Sequence, residues 1–518
     1  MNAIDYLFFG VFRNPFLKNI VSQYRCANAS ISVSLDYLRH NAAQLSRLDR
    51  DTFKIGILVA LENENQVDEY LALSQQDRDL ITQISVSHKL PVAKEQQLIS
   101  NLPCKIRAMK FNAPNLGNFG SITQLDTLIL IDDPRFPIDL EQISFPPNLK
   151  TLYLCACNEA IKVDEIPQSL EHISIFYPND NPSLFNMSRF PKNAVKPLTI
   201  SLTYLSDFLV WPVFSTEWNL KSISFGVALN STDLLVPNML PNTVETLSLL
   251  HFPGELQAGV IPQSVTSLKI DHYRYELQVG ILPTKLKSLT AGAYNQPIRE
   301  QVLPNTLTFL KMNNFNHPLH ENLLPASLVT LSMRAYNQPL SFGNLPNLAT
   351  CTLASLEREI GEGQFPNSIT SLSIRHSLSI TSSACFPTSL KHLEIFLFNA
   401  TQGYLSLIPS HVESLTLNSY IIGTTVSFDD VHLPQHITKL KICAIAPPIP
   451  STFLPQTLKK LIIPSSHVKF EKPKTSNDSD DCIYPPTLEY LSVPSPKTGT
   501  LPKSLRTLTD RKGTLQHF

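Results

Sequence analysis

The chain has 518 residues, 43% of them hydrophobic, and a formal charge of −1 from 42 basic and 43 acidic side chains. That balance excludes a global pull toward nucleic acid or a membrane surface, so a charge-guided partner has to meet a local patch. One globular core rarely serves so long a chain, whereas a repeat array escapes that limit by growing along one axis.

At the start of the chain, the apolar run Leu7-Phe8-Phe9 follows Asp5 and no basic residue, which does not fit a signal peptide. No later stretch approaches the roughly 18 uncharged apolar residues of a membrane span. A cytoplasmic protein is expected, with its eight cysteines as thiols. Ile4, Leu7, Phe8, Val11 and Phe12 share one helical face, and Asn14-Pro15 offers the cap and first turn of a second helix. Further helical patterns run over about 34–48, 52–62, 66–74 and 77–88, with Asp51 and Asp77 as starts. Residues 1–98 are thus expected to be a small helical domain, either an end cap or a docking module.

From Leu102-Pro103 a repeat takes over. A proline is followed by aliphatic residues three, six and eight places on, as in Pro283 with Leu286, Leu289 and Ala291. Pro304 and Pro325 follow at intervals of 21 residues with the same pattern. About nineteen such turns fill residues 99–510, with a polar insertion over 464–484 and a tail over 511–518. The L-x-x-L-x-L core predicts a leucine-rich-repeat-like solenoid, an α+β repeat protein in which short strands pair in parallel as a concave sheet behind the helical segment.

Behind each strand stands an aromatic column that includes Phe252, Tyr273, Tyr294, Phe315, Tyr336, Phe398 and Tyr420, expected as core. Tyr294-Asn295-Gln296-Pro297, Phe315-Asn316-His317-Pro318 and Tyr336-Asn337-Gln338-Pro339 then repeat one turn. Its Asn is expected to bond backbone amides, and its Pro to preset φ where no ladder forms. This aromatic-Asn-x-Pro signature, spaced by L-P-x-x-L-x-x-L, resembles the FNIP repeat family, a leucine-rich-repeat-like group best known from social amoebae. The resemblance implies an interaction protein. Some members of that family attach the repeats to a protein kinase or an F-box. Leu7 to Ile20 has the periodicity of an F-box start without its Leu-Pro entry, so a substrate-recognition adapter of a ubiquitin ligase is the alternative reading.

No kinase, Walker, G-x-S-x-G, H-E-x-x-H or dinucleotide motif is present, and the 14 histidines are scattered. Cys155 and Cys157 lack a second pair to complete a metal set. No enzyme activity, cofactor or metal is expected. Residues flanking the inward aliphatics should face solvent on the concave side: Lys269, Asp271, Lys311, Asn313, Arg334, Arg375, His392, Glu394, Lys439, Lys441 and Lys460. Basic residues outnumber acidic ones there, which points to a protein partner with an acidic or phosphorylated segment. With Ser and Thr between the cations, the face does not favour nucleic acid. The long loop with Trp211 and Trp218 is a second candidate surface.

Overall fold

The computed structural model describes residues 30–48, 52, 54–112, 119–131, 143–155, 167–176, 198–204, 219–227, 235–252, 254–375, 382–397, 407–419, 433–443, 449–464, 470–471, 484–494, 501–509 and 515–517. The expected helices before Ser30, the Trp211 and Trp218 loop, Cys157, Phe398, Tyr420 and the polar run 475–481 lie outside these residues. Two compact units divide the chain, one ending at Tyr273 and one beginning at Arg274.

The first unit opens with strands and helices in alternation. These are β1 (Ser30–Val33), α1 (Leu35–Leu45), β2 (Gly56–Leu61), α2 (Glu64–Leu71), α3 (Gln75–Arg78), β3 (Gln83–Val86), α4 (Val92–Ser100) and β4 (Ala108–Asn112). Ser34, Asn63 and Ser74 cap the first three helices by accepting from the N–H of Tyr37, Gln66 and Asp77. Two expected helices are corrected. Residues 56–61 form β2 because Ile57, Val59 and Leu61 are buried at alternate positions, a period of two inside an apolar run that a helical pattern also fits. In the stretch 77–88, α3 ends at Arg78 and β3 follows, with Ile84 and Val86 buried. Asp77 sits inside α3 rather than starting it, since Ser74 is the cap.

Strands β1 to β4 pair in parallel in chain order, and β4 leads directly into the repeats. Those of the first unit are β5 (Thr127–Ile131), β6 (Thr151–Cys155), β7 (His172–Phe176), β8 (Leu198–Tyr204), β9 (Leu220–Val227), β10 (Thr246–Leu249) and β11 (Ser267–Lys269). Each is parallel to the next. The second unit is built alike from β12 (Ser288–Thr290), β13 (Phe309–Lys311), β14 (Thr330–Ser332), β15 (Thr350–Leu353), β16 (Ser371–Arg375), β17 (His392–Leu397), β18 (Ser414–Ser419) and β19 (Lys439–Cys443). It continues with β20 (Ile449–Pro450), β21 (Lys460–Ile462), β22 (Phe470–Glu471), β23 (Tyr490–Ser492), β24 (Thr507–Thr509) and β25 (Leu515–His517). The two-residue β20 and β22 pair apart from the main ladder, and β25 runs antiparallel to β24. The architecture is a parallel-sheet, leucine-rich-repeat-like solenoid.

The repeat residues build each turn in a fixed way. The anchor proline's carbonyl accepts from the N–H of the first aliphatic, as Pro283 does from Leu286, Pro304 from Leu307 and Pro325 from Leu328, which makes a β-turn. Three residues before the anchor the backbone is left-handed: Asn238, Gly259, Gly280, Gln301, Asn322, Gly343 and Gly363 all have positive φ. Glycine supplies this conformation in four of these seven turns, and Asn or Gln in the other three. Two residues after the anchor, a hydroxyl donates to carbonyls of the preceding turn. Thr306 Oγ1 reaches Thr284 O and Leu286 O at 2.8 Å, and Ser327 Oγ reaches Leu307 O at 2.7 Å.

Beyond the strand, Tyr273, Tyr294, Phe315 and Tyr336 are fully buried. Tyr273 Oη accepts from Leu256 N at 3.0 Å, and Tyr294 Oη accepts from Leu277 N at 3.2 Å. Tyr336 Oη donates to Pro339 O at 2.9 Å. Each asparagine then bonds the next turn. Asn295 Oδ1 accepts from Asn316 N at 3.0 Å, Asn316 Oδ1 from Asn337 N at 2.8 Å, and Asn337 Oδ1 from Glu357 N at 2.9 Å. The residue after each Asn donates backward, as with Gln296 to Arg274 O, His317 Nε2 to Asn295 O and Gln338 to Asn316 O, and Arg358, after Glu357 in the Asn position, donates to Asn337 O.

These ladders give three expected outcomes. Asn316→Ala removes an acceptor that is half-exposed, so thermal unfolding should show a loss of roughly 0.5–1.5 kcal/mol, less than a buried bond would cost. Gly280→Ala meets no atom within 4 Å, so its cost in a denaturant titration should be the left-handed backbone alone, on the order of 1 kcal/mol, while Gln301→Gly should be neutral or stabilising. Burial pushes the Tyr336 phenol from 10.0 up to about 12, with the Leu319 N–H pulling the other way. The folded state therefore favours the protonated phenol, and that contribution is full below pH 10 and lost as pH rises toward 12. Denaturation midpoints across this window should fall less steeply for Tyr336→Phe than for the unmodified chain.

Candidate functional site: the open face of the sheet

Side chains alternate along each strand, so residues on either side of a buried aliphatic share the face opposite the core. In β13, Leu310 is buried while Phe309 and Lys311 are half-exposed. The same holds for β14, with Thr330 and Ser332 outward, and for β19, with Lys439 and Lys441 exposed. Strand register then decides which outward residues are neighbours.

In the second unit Lys311 lies beside Thr290 and Ser332. Asn313 accepts from Ser332 Oγ at 3.0 Å, and Arg334 is exposed one turn on. Arg375 closes β16, with its side chain outside the described residues. His392 is exposed on β17, and Glu394 two residues later is half-buried. Glu394 is held by neutral donors from both flanking strands: Ser373 Oγ donates to Oε2 at 2.6 Å, and Asn418 Nδ2 donates to Oε1. Ser373 is itself buried.

None of Lys311, Arg334, Lys439 or Lys441 is ion-paired with a described residue, and Glu394 is the one carboxylate on the described open-face positions of β12 to β24. Lys391 and Glu413, which pair at 3.1 Å, precede their strands. Lys269 and Asp271 belong to the first unit and pair with each other at 3.1 Å, so the lysine expected to add to a basic face is cancelled locally.

The first unit's open face has a different chemistry. Ile129 and Ile131 on β5 stand beside Tyr153 and Cys155 on β6, all half-exposed. His172 on β7 tilts against Tyr153 with ring centroids 5.6 Å apart, and burial lowers its pKa, which favours the neutral ring. From β8 to β10 the outward pairs are Thr199/Ser201, Ser222/Ser224 and Thr246/Ser248. Sequence reasoning does not single out this apolar patch, although Ile129, Ile131 and Tyr153 occupy places where other turns carry Ser or Thr.

Among the described residues no group of three His, Cys, Asp or Glu side chains could hold a metal ion, and no helix is long and apolar enough to cross a membrane. The described cysteines form no disulfide with one another. Cys351 takes the buried place of Leu331 in the next strand, where burial pushes its thiol up to about 12 and keeps it protonated.

The open face and its ladders can be set beside known proteins. A search of curated proteins found no match. Among solved structures, CroV588, described as a novel circular LRR protein, aligns with a TM-score of 0.54 and 21% identity, covering 88% of this chain and 72% of that one. An internalin (inlF) from Listeria monocytogenes aligns at a TM-score of 0.32 and 14% identity over 62% of this chain and 88% of that one, too weakly to carry an argument. The first likeness shows the fold. The family model described as FNIP Repeat matches residues 138–177, 252–293, 276–315, 294–335 and 315–351, a span that holds the aromatic-Asn-x-Pro turns and their ladders. Residues 138–177 and 252–351 thus match FNIP repeats, within a chain wound as a leucine-rich-repeat-like solenoid.

Proposed function

We propose that the protein is a non-catalytic, cytoplasmic interaction scaffold whose second unit binds an acidic segment of a partner protein along the open face of β12 to β24. The observation that carries this reading is the set of cations without counter-ions: Lys311, Arg334, Lys439 and Lys441 share one face on which Glu394 is the lone described carboxylate, already engaged by Ser373 and Asn418. Neighbouring strands stand about 4.8 Å apart, inside the roughly 8 Å screening length at physiological salt, so the fields of nearby cations add. Short strands lend themselves to this use because their open face has to carry polar side chains in any case. The described rings on this face, Phe309, His392 and Tyr490, stand on separate strands with mostly Ser and Thr between them, which falls short of the run of rings that single-stranded nucleic acid stacks on.

In the same reading residues 1–98 are the end cap of the array. What supports it is that β1, β2 and β3 continue the repeat ladder into β4 by parallel pairing. Residues 7–20, on which an adapter role rests, lie outside the described residues.

The test compares the full chain with Lys311→Glu combined with Arg334→Glu, using Lys285→Glu on a turn as control. Captured proteins are identified by mass spectrometry at low and physiological salt. The expected outcome is loss of a salt-sensitive partner from the double variant alone, by on the order of tenfold. An unchanged partner set with unchanged salt dependence would remove the open face from consideration.

A further inference from the structure

We propose that Lys439, Lys441 and Lys460, at the junction of β19 and β21, form an anchor for a phosphoryl group on a side chain of the bound protein segment. This rests on the reading just given and narrows it, at one place on the face, from an acidic ligand to a phosphorylated one.

Strands β19 and β21 are parallel neighbours, with Lys439 and Lys460 as direct partners in register. Lys441 is on the same face two residues further along β19. Adjacent strands are about 4.8 Å apart and same-face residues on one strand are roughly 6.6 Å apart, so three ammonium groups can reach one small anion. No described carboxylate is within ion-pair distance of them, and the half-exposed Ile462 stands beside Lys441 on β21. Ser414 and Thr416 flank the lysines on β18, and Tyr490 and Ser492 follow on β23. Glu394 stands two strands away and is held by neutral donors.

Like charges placed directly opposite each other weaken a sheet, so Lys439 facing Lys460 works against folding unless an anion offsets it. One member of the set is already positioned. Lys460 Nζ lies over the Tyr490 ring, 4.3 Å from its centroid, and the Tyr490 hydroxyl is 3.4 Å from Thr509 Oγ1. An aromatic face holds an ammonium without neutralising it.

The geometry favours a phosphoryl group over a carboxylate. A phosphorylated side chain carries about −1.5 to −2 at pH 7 on three acceptor oxygens, which three cations with hydroxyl neighbours can match. A carboxylate offers a single charge on two oxygens. Lys311 and Arg334, by contrast, stand one to a strand and suit carboxylates spread along a segment. The cluster is two strands wide, with no lysine or arginine on the adjoining open-face positions of β18 and β23, so it is not the continuous phosphate track that a nucleic acid requires.

The test uses the immobilised full chain and three mixed-sequence peptide pools that differ at one central residue: phosphoserine, serine or glutamate. Vesicles of phosphatidylserine are run as a separate arm. Retention of the phosphoserine pool above both others by on the order of tenfold is expected, with competition by inorganic phosphate. Lys439→Gln with Lys460→Gln should abolish that preference, while Lys311→Gln should leave it intact. All three lysine changes are at solvent-facing positions, and matching thermal unfolding would confirm that the variants are folded. Equal retention of the phosphoserine and glutamate pools, still sensitive to Lys311, would overturn the anchor and leave the acidic-segment reading standing. Preference that survives the double variant, or retention of vesicles in place of peptides, would also overturn the anchor. Retention of no pool would end both proposals.

Discussion

Everything in this fold depends on how the outer wall of each turn satisfies its backbone. The strands pair with their neighbours, but from the end of one strand to the next anchor proline the second unit's central repeats form neither helix nor strand, and buried N–H and C=O groups still need partners. The solution is lateral. Tyrosine hydroxyls, asparagine amides, and serine and threonine hydroxyls each bond the turn next to their own. Because consecutive turns are one strand spacing apart, a short side chain reaches its neighbour at every repeat. The aliphatic residues supply the driving force for stacking, and the side-chain ladders supply its register.

The same arrangement frees the opposite face. With the core on one side of the sheet and the ladders beyond it, the outward residues of each strand carry little structural duty and can differ from turn to turn. That is how Ile129 and Tyr153 come to share an apolar patch in the first unit, while the second unit gathers lysines. Glu394 is the exception, and its chemistry accounts for it: a carboxylate on this face is tolerated where Ser373 and Asn418 hydrogen-bond both of its oxygens.

Much of the fold is legible in the sequence because its signals are periodic. The proline, the three aliphatics and the aromatic each recur at fixed offsets, and an apolar residue that returns once per coil marks a core position. The outward positions follow from strand alternation. The features that stay hidden have no single residue type to reveal them. The left-handed position is filled by Gly, Asn or Gln, and the hydroxyl ladder mixes Ser with Thr, both common residues. Strand β2 reads as helix because Ile55, Ile57, Val59 and Leu61 sit in a run with few polar residues to mark its period. The pairing of Lys269 with Asp271 depends on side-chain reach along one strand end, which alternation alone does not fix.

The slot between Asn and Pro in the repeat signature is less free than its variety suggests. Glutamine and histidine differ in shape, yet Gln296, His317 and Gln338 each lend a nitrogen to a carbonyl of the turn before, as Arg358 does one turn later. Every link in these chains runs from one slot of a coil to one fixed carbonyl of the coil before it, and no link skips a coil. A whole coil can therefore be copied or excised without leaving a dangling partner, provided the cut is made at matching places, whereas a gain of a few residues inside a coil shifts every bond that crosses it. Such a chain lengthens by duplication of complete units, and its surface can diversify afterwards without reopening the scaffold.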